Sequence, residues 1–262
     1  MTEAWSDFHL RFSRLRPPQA VTADMAARMA AAVAGHDERV LLLGVTPALT
    51  EIGRSLVAVD RSIEMIRRVW PGNDRRRQVL QADWRSMELD GEFTAVIGDG
   101  SFNCLHHPDD YTRVWARIGR MLRRGGRIGL RFFVTPEACE SLDDLVEATR
   151  AGRVESAHAL KWRLAMAMAA ESGKANVPAI DILAEFNRRF PQRLELVQLT
   201  GWAADDIGLF DAYERSSDVI SFPTLGQIKK TIPPGFSDMR LLPSGDYDLA
   251  ERCPLLTMNR DG

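Results

Sequence analysis

Val21, Met25, Met29 and Val33 recur at the period of one helix face in an alanine-rich stretch closed by Gly35, so the spacing predicts an amphipathic helix over 21–33. The next apolar block is of another kind. Val40-Leu41-Leu42-Leu43 is continuous rather than periodic, the pattern of a strand covered on both faces, and it stops at Gly44. Thr46 as N-cap, Pro47 as first helical residue and Gly53 as terminator predict a short helix over 48–52. The unit then repeats. A strand over 56–59 ends in Asp60, and a helix capped by Ser62 carries Ile63, Met65, Ile66 and Val69 before Pro71-Gly72. A weaker strand over 78–81 precedes Asp83-Trp84, and another over 93–97 ends at Gly98-Asp99-Gly100. Val114, Ile118, Met121 and Leu122 share a helix face over 111–122. Arg123-Arg124-Gly125-Gly126 reads as its glycine stop, and the run 128–134 as a fifth strand.

Strands alternating with helices over about a hundred residues imply a parallel sheet with helices on both faces and right-handed crossovers. Past Thr135 the rhythm changes to helical segments over 141–149, 157–170 and 180–190, placed to cap the carboxyl edge of the sheet. Two final strands, 239–242 and 255–258, flank the turn Pro243-Ser244-Gly245-Asp246 and close the sheet as an antiparallel pair. The expected fold is α/β: a Rossmann-like, doubly wound, mostly parallel seven-stranded sheet with a helical cap insertion. Its expected divisions are an N-terminal helical lid (1–37), the core (38–135), the cap (136–230) and closing strands (231–262).

Composition narrows the function classes. Of 262 residues 45% are apolar and 27% charged, enough for a sizeable core, and a net charge of -2 gives no drive towards nucleic acid or anionic membrane. The N-terminus lacks a basic stretch followed by an apolar one, so no secretory signal is expected, and the apolar runs are too short to span a membrane. Cys104, Cys139 and Cys253 are odd in number and widely spaced, matching neither a disulfide framework nor a zinc pattern; they read as reduced thiols of a cytoplasmic protein with a small-molecule partner. Nothing in the pattern sets an oligomeric state.

In a doubly wound sheet the ligand sits beyond the carboxyl ends of the strands. Asp60 follows Gly44 by sixteen positions, near the offset at which a carboxylate accepts hydrogen bonds from a ribose diol; the alternative is a cap of the following helix. The first loop, Gly44-Val45-Thr46-Pro47, lacks the second and third glycines of a dinucleotide fingerprint. Side chains at Val45 and Pro47 would obstruct a pyrophosphate, which disfavours NAD and FAD.

The ordered set Val40-Leu41-Leu42-Leu43-Gly44, Val57-Ala58-Val59-Asp60-Arg61-Ser62, Gln81-Ala82-Asp83-Trp84 and Met121-Leu122-Arg123-Arg124-Gly125-Gly126-Arg127 resembles class I S-adenosylmethionine-dependent methyltransferases over about 40–134. The resemblance implies S-adenosyl-L-methionine as cofactor. Gly44, Val45, Thr46 and Pro47 would face its methionine part, Asp60 and the adjoining Arg61 its ribose, Asp83 the adenine amino group and Trp84 the adenine face. Asp99 and Gly100 would lie near its amino end or the acceptor. The family usually has a glycine run where this chain has Val45, Thr46 and Pro47.

Methyl transfer asks the protein to align the acceptor, exclude water and remove a proton. His106 and His107, past Ser101-Phe102-Asn103, are the expected candidates for a base, and no metal site is expected; Asp109-Asp110 read as helix N-terminal carboxylates. Trp5, Phe8 and Phe12 with Arg11, Arg14 and Arg16 form either a lid or a packing arm. Trp162, Met166, Phe186 and Phe210 are expected to line an acceptor pocket on the cap. The acceptor atom, oxygen, nitrogen or carbon, stays open. The altered first loop keeps two alternatives in view: chemistry in which the methionine portion is itself the substrate, and a non-catalytic fold that binds a nucleoside or a partner.

Overall fold

The computed structural model describes residues 12–90 and 92–262. Its strands β1 (Arg39–Leu43), β2 (Ser55–Asp60), β3 (Arg77–Gln81), β4 (Phe93–Asp99) and β5 (Leu122–Arg131) form the parallel part of a seven-stranded sheet. The last strand, β9 (Leu255–Arg260), pairs antiparallel with β5 and with the edge strand β8 (Phe236–Leu242), giving the order β3-β2-β1-β4-β5-β9-β8. This is the expected doubly wound sheet, with its turning point between β1 and β4.

Alternation along the strands builds two cores. Leu41, Leu43, Val96, Ile128 and Leu130 point to the face covered by α3 (Asp109–Met121). Val40, Leu42, Ala58, Ala95 and Ile97 point to the opposite face, covered by α1 (Ala23–Ala32), while α2 (Ile63–Val69) crosses between β2 and β3. Continuous apolar runs were legible as strands because both faces are dry.

Two expectations near the strands are corrected. Residues 48–52 form no α-helix: Pro47–Leu49 make a single 3-10 turn that Thr46 does not cap with its side chain. The segment between β1 and Gly53 is too short to propagate a helix once nucleated. Gly125-Gly126 are no stop either, because β5 already starts at Leu122. Gly125 takes φ +70° beside a shift in pairing register opposite Phe93 and Ala95, so the glycines absorb a bulge. At its other end β5 stops at Arg131, three residues before the apolar run does.

The cap carries α4 (Leu142–Arg150), α5 (Ala157–Ser172), α6 (Ala179–Arg189), α7 (Arg193–Thr200) and the short α8 (Ala204–Ile207) around their own apolar cluster. It also holds a small antiparallel pair, β6 (Asn176–Pro178) with β7 (Val219–Ser221), which the helical expectation left out. Three-residue strands are too short for a period to show. α9 (Leu225–Thr231), which crosses the expected boundary at 230, packs on α3 instead, with Ile228 buried in the sheet core and Trp115 Nε1 donating to Thr231 Oγ1 at 3.3 Å. Among the described residues no helix is long and apolar enough to cross a membrane.

Candidate functional site

The parallel strands deliver their carboxyl ends to one edge. After β1, Gly44 takes φ +107° and donates to the Val59 carbonyl at 2.8 Å; a Cβ placed on it would meet nothing within 4 Å. The space before this backbone is open, and only glycine takes that conformation without strain. Val45 turns inward and is 2% exposed, so it does not obstruct the lip, where Thr46 and Pro47 are half-buried.

Asp60 stands half-buried at the end of β2. Burial pushes its carboxyl up to about 6, although the backbone N–H of Ser62, donating at 2.8 Å, and the Arg61 charge both pull it down. A desolvated carboxylate short of donors is suited to accept hydroxyl hydrogen bonds. Ser62 caps α2 with its own side chain, so Asp60 is not the cap. Arg61 itself is exposed, and its carbonyl accepts from Gln81 Nε2 at 3.2 Å. Trp84 Nε1 donates to the Val59 carbonyl at 2.7 Å, which holds the indole beside Asp60.

Other expected ligands are engaged inside the protein. Asp83 accepts from Arg85 Nε at 2.9 and 3.1 Å, and Arg85 holds its carboxyl below the usual carboxylate range. Asp99 pairs with the buried Arg131, whose guanidinium also donates to Tyr247 Oη at 2.9 Å and to the Pro18 carbonyl at 2.8 Å. Burial works against the Arg131 charge and the Asp99 carboxylate outweighs it, so the guanidinium is held protonated above its ordinary value. Gly98 and Gly100 serve neighbours within the protein: a Cβ on Gly98 would lie 2.6 Å from Ser101 Oγ, and one on Gly100 2.6 Å from the Phe133 ring.

The two histidines stand in the loop after β4 and differ in what surrounds them. His106 is exposed. His107 is half-buried; its ring nitrogen Nε2 lies 3.3 Å from the Gln227 carbonyl and its ring stands edge-on to Tyr111, with burial lowering its pKa. Its backbone N–H donates to Asn176 on β6 at 2.9 Å, so it joins the small sheet and α9 to the body of the fold. Of the expected pocket residues, Phe186 and Phe210 stack at 3.8 Å between centroids and, with Met166, are wholly buried in the cap core.

Sequence reasoning passed over the residues that join the strand ends to the cap. Burial pushes the Cys104 thiol up to about 12, and the charges of Asp60, Asp218 and Asp99 act on it in the same direction. Burial likewise raises Tyr213, with Cys104 and Asp218 contributing, so these groups share one electrostatic neighbourhood. Above the Tyr213 ring, 3.8 Å from its centroid, lies the ammonium of Lys161, which also donates to the Leu209 carbonyl at 3.3 Å. A lone lysine in the apolar stretch of α5 was the available signal.

Trp5, Phe8 and Arg11 lie outside the described residues. The strap that follows ties the sheet edge to the cap: Pro18 accepts from Arg131, and Arg14 pairs with Asp205 at 3.4 Å. Among the described residues no group of three or more His, Cys, Asp and Glu is placed to hold a metal ion.

Residues 44–130 match the family described as a methyltransferase domain. The match to a methyltransferase domain is confined to this core. No curated protein sequence matches the chain significantly. Among solved structures, a Rhodobacter sphaeroides protein described as a zinc-dependent alcohol dehydrogenase resembles the chain over 99% of its length and 98% of its own, at 12% identity and TM-score 0.61, a likeness of fold alone. The glycopeptide N-methyltransferase MtfA, complexed with S-adenosyl-L-methionine, shares 25% identity over 48% of this chain and 63% of its own, with TM-score 0.41. The methyltransferase CcbJ from Streptomyces caelestis shares 18% over 51% and 58%, with TM-score 0.43. The chain thus matches less than two thirds of the length of either of these two methyltransferases.

Proposed function

We propose that this chain binds S-adenosyl-L-methionine along the carboxyl edge of β1, β2 and β4 and methylates a small molecule held beneath the cap. The observation that carries the reading is Asp60, a half-buried carboxylate raised to about 6 by burial, next to the open backbone of Gly44. The residues present fit the cofactor. Gly44 leaves room for its amino-acid tail, Asp60 would accept from both ribose hydroxyls, and Trp84, anchored to Val59, would lie against adenine. Asp83 is taken by Arg85 and Asp99 by Arg131, so adenine and the ammonium would be met by backbone groups after β3 and β4.

The bound cofactor supplies a methyl group already activated on a sulfonium. The chain's own task is to orient the acceptor, to keep water out with the strap and cap, and to take up a proton. The mildly acidic net charge and the absence of an Asn/Asp-Pro-Pro-aromatic segment after β4 support a small acceptor over a nucleic acid.

Isothermal titration calorimetry with S-adenosylhomocysteine tests the reading. Micromolar binding by the wild type, lost in Asp60→Ala, is expected. A folded wild type that takes up no S-adenosylhomocysteine would overturn it.

A further inference from the structure

Two buried polar atoms on one face of α5 have no partner in the protein: His158 Nε2 and Trp162 Nε1. The residues are 1% and 7% exposed and stand four positions apart, which brings their side chains together on the helix surface. A native protein rarely leaves such groups unsatisfied, since each loses its hydration on burial and gains no bond in return. Two on adjacent turns call for a common explanation.

Their chemistry is complementary. The indole of Trp162 can only donate. A neutral His158 ring that carries its proton on the other nitrogen leaves Nε2 an acceptor. One donor and one acceptor side by side match a group that is itself both, as a hydroxyl is.

The surroundings decide what carries that hydroxyl. The Trp162 ring packs 5.3 Å from Phe133, just past the end of β5, and 5.3 Å from Phe222, so the walls are aromatic. The charged groups that act on His158 are Lys161 and Arg16, which keep the resting ring neutral and able to accept a proton, and Asp206, which stabilises the charged ring once the proton has arrived. The cations disfavour an ammonium and favour an oxygen that is losing its proton.

We propose that His158 and Trp162 form the acceptor's hydroxyl-recognition point, and that the acceptor is a neutral alcohol or phenol on an apolar body. The inference rests on the methyltransferase reading. Trp162 Nε1–H donates to the hydroxyl oxygen and Nε2 of His158 accepts its proton. As the O–H bond breaks, the oxygen pair forms the new bond to carbon, the carbon–sulfur pair departs as a thioether, and the proton leaves with His158. Both nitrogens are sealed in this conformation, with Arg14 of the strap against His158, so the acceptor enters as residues 12–18 lift.

The test is nuclear magnetic resonance of the full chain saturated with S-adenosylhomocysteine. It follows the Trp162 indole and His158 ring nitrogens, assigned with Trp162→Phe and His158→Gln, while phenol, toluene or benzylamine is added. Phenol is expected to shift both signals saturably and the other two to leave them in place. Either substitution should weaken phenol at least fivefold and leave S-adenosylhomocysteine affinity within twofold. Signals unmoved by phenol, or moved equally by toluene, in a protein that binds S-adenosylhomocysteine would overturn the proposal and spare the reading beneath it. A wild type that fails to bind S-adenosylhomocysteine would overturn both.

Discussion

Asp99 and Arg131 are direct neighbours in the pairing of β4 with β5, and their side chains, 9% and 1% exposed, form an ion pair at the strand ends. The pair joins four parts of the chain, because Arg131 also reaches Tyr247 and the strap at Pro18. A charge in such a place is tolerable only while its partner remains. Arg131→Met should cost about 3–5 kcal/mol, and Asp99→Leu with Arg131→Met much less than the single change. Urea unfolding of the three proteins measures this; equal losses in the single and the double variant would show that an unpaired Asp99 carries no cost.

Asp60 predicts a stability change of unusual sign. Its folded-state value, about 6, lies above the ordinary 3.8. The stability it contributes is therefore complete below about pH 4 and is lost as pH rises through 6. Asp60→Asn should make the ligand-free protein more stable at pH 7.5, by up to about 3 kcal/mol, and change little at pH 4. Melting curves at the two values would refute this if the variant were the weaker at pH 7.5.

The same group sets the pH dependence of ligand binding. Only the ionised carboxylate accepts from both ribose hydroxyls, so S-adenosylhomocysteine affinity should be flat above pH 7 and fall about tenfold per unit below 6. In Asp60→Asn this slope should vanish along with most of the affinity. Calorimetry from pH 5 to 8 checks both.

Gly44 and Gly100 both have positive φ but differ in what faces them. Gly100→Ala drives a methyl into the Phe133 ring and should cost about 2–4 kcal/mol of stability. Gly44→Ala meets no protein atom. Its stability cost should stay near about 1 kcal/mol, while S-adenosylhomocysteine affinity drops at least tenfold. Comparable binding by Gly44→Ala and wild type would remove this loop from the ligand site.

Much of the architecture was legible along the chain. Continuous runs such as 40–43 announced strands dry on both faces, and the spacing of Val114, Ile118 and Met121 announced α3, because burial imposes a local period wherever an element packs along its length. The short helix expected over 48–52 was misread from Thr46-Pro47 because caps signal where a helix can start, not whether enough residues follow to sustain it. β6, β7 and the role of α9 left no local trace. Their stability comes from partners more than forty residues away, as between Asn176 and Ser221.

For the site, the sequence by itself determined which residue types stand at the strand ends, since strand, stop and acidic residue are consecutive. Tertiary structure alone decided which of them are free. Among the described residues Asp60 is answered by backbone amides and the Arg61 charge, whereas Asp83 and Asp99 are claimed by Arg85 and Arg131. His107 was drawn to Gln227, 120 residues on, and His158 was left with an open nitrogen beneath the strap. Charge pairing and desolvation act through space, and which groups become neighbours is settled only when distant segments pack together.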